Sequence, residues 1–119
     1  MTQQHRPLTG MVGQNGIAAP VAVLAGPPTL IHQLDASSPT NFLDEVSLFV
    51  VNNDVATQNV SVVVANGPAL VLSVPANSTR AIFSEQPFFG QPGQAANSQI
   101  TVQALGGVGM VAYGFFTRN

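Results

Sequence analysis

Apolar and polar residues alternate along most of this chain, in short runs separated by turn-forming residues. The clearest run is 44–52, DEVSLFVVN. Val46, Leu48 and Val50 fall on one side of it, and Glu45, Ser47, Phe49 and Val51 on the other, as successive side chains do on a strand. Both sides are partly apolar, which predicts a central strand or one covered on its outer side by another chain. Similar runs at 29–35, 60–65, 69–74, 79–83, 99–105 and 108–117 predict further strands. Their inward faces give a candidate core of Val46, Leu48, Val50, Val62, Val64, Leu70, Leu72, Ile100, Val102 and Met110.

Turn residues punctuate these runs. Asn66-Gly67 is a hairpin signal, because both residue types tolerate positive φ. Pro68 suits only a strand's first position, since it has no N–H to donate. Pro75-Ala76-Asn77 and Gly106-Gly107 mark two more turns. The stretch 85–97, with Pro87, Gly90, Pro92 and Gly93, reads as a long loop anchored on the core by Phe88 and Phe89. No segment holds a helical period. About seven strands with turns every 8–12 residues predict an all-β fold, an antiparallel β-sandwich of jelly-roll or Ig-like type.

Residues 1–28 differ. They are rich in Gly, Pro, Gln and Ala, and Pro7, Pro20, Pro27 and Pro28 would break any helix. The division expected is an extended N-terminal arm over 1–28 and a β-sandwich domain over 29–119. The arm's apolar residues, Val12, Ile17, Val21, Val23 and Leu24, suit either its own domain or a neighbouring subunit. Ordering an arm costs about 1–2 kcal/mol per residue, so the expectation is that a neighbour supplies the contacts. Glycines and Pro20 interrupt the start of the chain, so no cleaved signal peptide is expected.

Charge changes the picture most. Only 7% of residues are charged, against about 25% in a typical domain. The chain has no lysine; its charges are Arg6, Arg80 and Arg118 against Asp35, Asp44, Glu45, Asp54 and Glu85. Polarity comes from Asn, Gln, Ser and Thr. Such a surface hydrogen-bonds well and repels little, which favours association. Three scattered arginines make no basic patch, so no nucleic-acid partner is expected. No apolar run reaches the roughly 18–20 residues of a spanning helix, so no membrane partner is expected either.

Candidate chemistry is sparse. Without cysteine there is no thiol nucleophile or disulfide. His32 and Asp35 are three apart on a strand and should face opposite ways; His32 reads as a cross-strand or interface residue. Asp44 and Glu45 also face opposite ways, with Asp44 capping a strand entry or closing a turn. Asp54 and Glu85 are second carboxylates in principle only. Two histidines and five acids lack metal-ligand spacing. Gly106-Gly107-Val108-Gly109 lies between strands, without the helix that a nucleotide fingerprint needs. Asn59-Val60-Ser61 and Asn77-Ser78-Thr79 match the glycosylation acceptor pattern, a short motif common by chance. No catalytic, cofactor-binding or metal-ligating residue is expected, no cofactor, and no enzyme activity.

Residues 44–53, DEVSLFVVNN, resemble the "DEV-x-L-aromatic-x-x-N" stretch of small virion proteins of tailed bacteriophages. The same proteins carry a Pro- and Gly-containing lead, an "I-H" pair, as in Ile31-His32, and a closing "G-aromatic-x-x-R", as in residues 114–118. The resemblance covers residues 29–119; the absence of lysine and the stretch around Phe88-Phe89 depart from it. It implies a structural virion protein of the capsid decoration or cement type, made in the host cytoplasm and resident on the capsid surface. Its expected partners are the major capsid protein lattice and further copies of itself, as a homo-oligomer, with a trimer suited to threefold lattice sites. The alternatives are a neck or tail ring protein (head-completion or terminator) and a surface adhesion or carbohydrate-binding β-sandwich module. The single Tyr and absent Trp weigh against the last.

Overall fold

A computed structural model describes residues 5–11, 21–23, 25–37, 39, 42–106 and 109–119. Among them the chain forms β1 (Arg6–Pro7), β2 (Val21–Val23), β3 (Thr29–Gln33), β4 (Leu43–Asn52), β5 (Gln58–Val64), β6 (Leu70–Val74), β7 (Ser78–Phe89), β8 (Gln99–Ala104) and β9 (Met110–Arg118), with 3₁₀ turns at Thr9–Met11 and Ala95–Asn97. Two antiparallel sheets result. The first runs β1-β9-β4-β7, with β2 also on β9; the second runs β3-β8-β5-β6.

β1 and β2 pair with the two ends of β9 in the same direction, Arg6 opposite Phe116 and Val23 opposite Met110. They are two pieces of one interrupted strand. The ladders then nest: β1/β2 with β9, β3 with β8, β4 with β7, and β5 with β6. Successive nested pairs fall in alternate sheets. This is the jelly-roll form of the sandwich.

The core lies between the sheets. Val46, Leu48, Val50, Val62, Ile100, Val102 and Met110 are buried as expected, joined by Ile31, Leu34, Val60, Val74, Ala104, Ala112 and Phe116. Val64 and Leu72 pack against it half-buried. Leu70 corrects the expected core. It has the inward parity, but it starts the edge strand β6 and is 49% exposed. There it lines an apolar groove of about 320 Å³ with Val64, Pro68, Phe83 and Phe88.

Two local features depart from the sequence pattern. At the β5–β6 hairpin the positive φ angles fall on Ala65 and Asn66, one residue before the expected pair. Gly67 instead closes the turn, donating its N–H to Val64 O at 2.9 Å. The expected loop from residue 85 is strand as far as Phe89. The register shifts between Val46 and Leu48, and Glu85 takes a positive φ with its N–H on Ser47 Oγ at 3.0 Å. This bulge absorbs the irregularity, after which pairing resumes with Pro87 opposite Glu45. β7 is an edge strand, the place in a sheet where proline is tolerated. Phe88 packs on the core and Phe89 is 63% exposed, so only one of the two anchors the segment.

The described part of residues 1–28 lies on its own domain. Leu8, Met11 and Val23 are buried in the shared core. The edge of β9 gives β1 and β2 their ladder partners, and the three buried side chains add apolar burial within the same chain. Val12, Ile17 and Leu24, and the Gly107-Val108 part of the last hairpin, lie outside the described residues.

Candidate functional site

Among the described residues, the buried side chains of opposite chemistry, His32 and Asp44, meet at one place between the sheets. A bulge in β3 between Leu30 and His32 breaks the alternation, so that Ile31 and His32 are both buried. Asp44, on β4, shares the inward parity of Val46, Leu48 and Val50 and is also fully buried. Arg118 sits directly opposite Asp44 in the β4–β9 register. Its guanidinium grips the carboxylate with two bonds, Nε to Oδ1 at 2.6 Å and Nη2 to Oδ2 at 2.7 Å. His32 Nε2 lies 2.8 Å from Oδ2. The Phe116 ring is 4.3 Å from the His32 ring, and the Arg118 guanidinium lies 5.0 Å from the same Phe116 ring, a cation–π contact.

The imidazole's tautomer follows from its neighbours. The backbone N–H of Thr9 points at His32 Nδ1 at 3.2 Å, so Nδ1 must accept. Nε2 therefore carries the hydrogen and donates it to Asp44. Burial acts against the ionised Asp44 carboxylate, but the hydrogen bonds from Arg118 and His32 outweigh it and hold the pKa below the usual aspartate value. The cluster joins both sheets and the Thr9–Met11 turn. It does not resemble a catalytic base: both imidazole nitrogens are engaged, and neither is left to take a nucleophile's proton.

Sequence reasoning on these residues divides. His32 and Asp35 do not meet, as expected; Asp35 accepts the Ser37 and Phe42 N–H groups instead. Asp44 does not cap a strand entry but anchors the buried cluster, a correction that its parity with Val46 could have signalled. Asp54 sits in the turn after β4, hydrogen-bonded by the Gln58 amide at 2.9 Å. Glu85 and Glu45 line one depression of about 190 Å³ on the first sheet's outer face, with His5, Phe115 and Thr117. Among the described residues no three metal-ligating side chains gather.

The outer faces of the two sheets differ. On the first, Phe49 stacks on Tyr113 with centroids 5.1 Å apart, and the His5 ring meets Phe115 edge-on at 4.7 Å. The second presents Leu30, Thr101 and Val63 in one row and Gln103, Ser61 and Val71 in the next. Its amides and hydroxyls pair with one another: Gln99 Nε2 with Gln33 Oε1 at 3.1 Å, and Ser73 Oγ with Asn59 Oδ1 at 2.9 Å. Of the eight charged side chains, Arg6, Asp44, Glu45, Arg80, Glu85 and Arg118 stand on first-sheet strands, Asp35 and Asp54 stand on connections, and none stands on the second sheet.

No protein-family model matches the chain, and no curated protein matches its sequence. Among the described residues, no helix is long and apolar enough to cross a membrane.

Proposed function

We propose that the protein is a structural component of a tailed-phage particle, a decoration or cement subunit that binds the assembled head and stabilises it. The observation that carries this reading is the second sheet, whose strands hold no Asp, Glu, Lys or Arg. Covering a charged surface costs several kcal/mol per unpaired ion, whereas amides and hydroxyls that already pair locally cost much less. A sheet face of Gln, Asn, Ser, Thr, Val and Leu can therefore bed against a neighbour without desolvating a charge. A subunit that binds assembled shell but not free capsid protein shifts the equilibrium towards shell by mass action. The resemblance of residues 44–53 and 114–118 to small virion proteins points the same way. The test is saturation binding to purified heads. A decoration protein loads in hundreds of copies, while six or twelve would make it a neck or tail ring.

A second reading, a surface module that binds carbohydrate, draws on the opposite face. There Phe49, Tyr113 and Phe115 gather the aromatic surface that the composition alone made improbable. Tyr113 is 41% exposed. Titration with neutral oligosaccharides, followed at the Tyr113 resonances, separates the two.

A further inference from the structure

We propose that His32 is a proton-operated latch that holds the N-terminal segment on the domain and releases it when the ring takes a second proton. The inference stands on hydrogen-bond geometry and is independent of where the protein acts. In the neutral form the ring connects two elements: Nε2–H donates to Asp44, and Nδ1 accepts the Thr9 N–H. The second contact is part of a small set that fixes the Thr9–Met11 turn. Gln33 N–H donates to Thr9 Oγ1 at 2.5 Å, and Met11 N–H closes the turn on Leu8 O at 2.8 Å. Gly10 lies so close to the β3 backbone that a Cβ there would overlap the carbonyl oxygens of Leu30 and Ile31. The turn has no space to slide sideways and keep its place.

A second proton on His32 must go to Nδ1, the only nitrogen without one. The ring then presents N–H to the Thr9 N–H, two donors facing each other where a fully buried ring meets a part-buried turn. The bond to Asp44 is retained and becomes charge-assisted. The response is therefore directional: β3 stays tied to β4, and the turn is pushed off. The charged groups facing the ring are Asp44 from β4 and Arg118 from β9. From the Thr9–Met11 turn only a backbone N–H faces the ring, and from β8 the residue opposite is Ile100. Asp35, just beyond β3, acts on Arg118 through its charge. Leu8 and Met11 leave the core with the turn, so release uncovers apolar surface beside β9 and β3.

The test is amide hydrogen exchange read residue by residue from about pH 8 to about pH 5, the range in which histidines commonly titrate, with the His32 ring nitrogens followed by ¹⁵N shifts. Protection of the Met11 and Gln33 amides, corrected for the intrinsic pH dependence of exchange, should fall at least about tenfold in step with the His32 titration. Protection at Val50 should stay constant. In His32→Asn the side-chain oxygen can accept from Thr9 and gains no proton, so protection there should be flat with pH. Should that variant not fold, the ring titration of the native chain decides. Three results would overturn the latch: His32 titrating with the Met11 and Gln33 protection unchanged, the turn loosening while His32 stays neutral, or Val50 losing protection by the same factor.

Discussion

The two sheets of this jelly roll are built from different chemistry. The first holds six of the eight charged residues, a part-buried Asp44–Arg118 pair and an outer cluster of aromatic rings. The second has no fixed charge on any strand, and its outer polar groups bond to one another. In the first sheet polar chemistry is spent within the chain, fastening β4 to β9 and the sheet to β3. In the second it is neutral and turned outward. A sheet that needed only water on its outer face would gain solubility from a few charges. Their complete absence from four strands is what an abutting neighbour would require.

The largest effect that tests this contrast lies in the first sheet. Asp44→Ala should destabilise the fold by about 3–5 kcal/mol, because it leaves the buried His32 and the part-buried Arg118 without their acceptor. Urea denaturation checks it, and a loss under about 1 kcal/mol would mean the cluster is solvated. Next comes the core that both sheets share. Leu48→Ala should cost about 2–5 kcal/mol through the cavity it leaves, whereas Leu70→Ala, at the open groove, should cost less than about 1 kcal/mol. Equal losses would mean that the groove is as filled as the core.

The jelly roll itself was partly legible in the sequence. Alternation in 44–52, 60–65 and 99–105 signals the strands because each has one face largely buried, so parity is enforced. The same rule applied to Asp44 indicates a buried carboxylate rather than the strand cap or turn closure expected of it. The partner, Arg118, is 74 residues away, and only the β4–β9 register joins them. His32 was hidden because the β3 bulge cancels parity where it matters. Residues 85–89 read as loop because Pro87 and Glu85 are poor strand residues, and the edge position that excuses them is a tertiary fact. The segment before residue 29 gave no periodic signal because β1 and β2 are only two and three residues long, too short to alternate.

A smaller effect follows from Asp44's lowered pKa. The unfolded chain binds the proton more readily than the folded one, so stability rises with pH through this group's titration. Its contribution is complete above the ordinary aspartate range and is lost as the pH falls below about 4 towards the folded pKa. Asp35 and Asp54 are shifted the same way by backbone and side-chain donors. Denaturation midpoints between about pH 6 and pH 2.5 should fall with acid, less steeply in Asp44→Asn measured against its own neutral-pH value. An unchanged slope would show that Asp44 is not a principal acid-sensitive group.

The most direct measurement of the central claim puts a charge where the second sheet has none. Thr101→Glu and Gln103→Glu change half-buried positions on its outer side. Thr101→Glu should alter stability by no more than about 0.5 kcal/mol, as for surface substitutions generally, whereas Gln103→Glu also removes the donor that Gln103 Nε2 offers to Gly26 O and should cost about 1 kcal/mol more. Binding to purified phage heads, measured as copies bound per particle, should fall at least about tenfold in both, from a native load of hundreds. Native-level loading of both charged variants would contradict the account, and so would a native chain that does not bind heads at all.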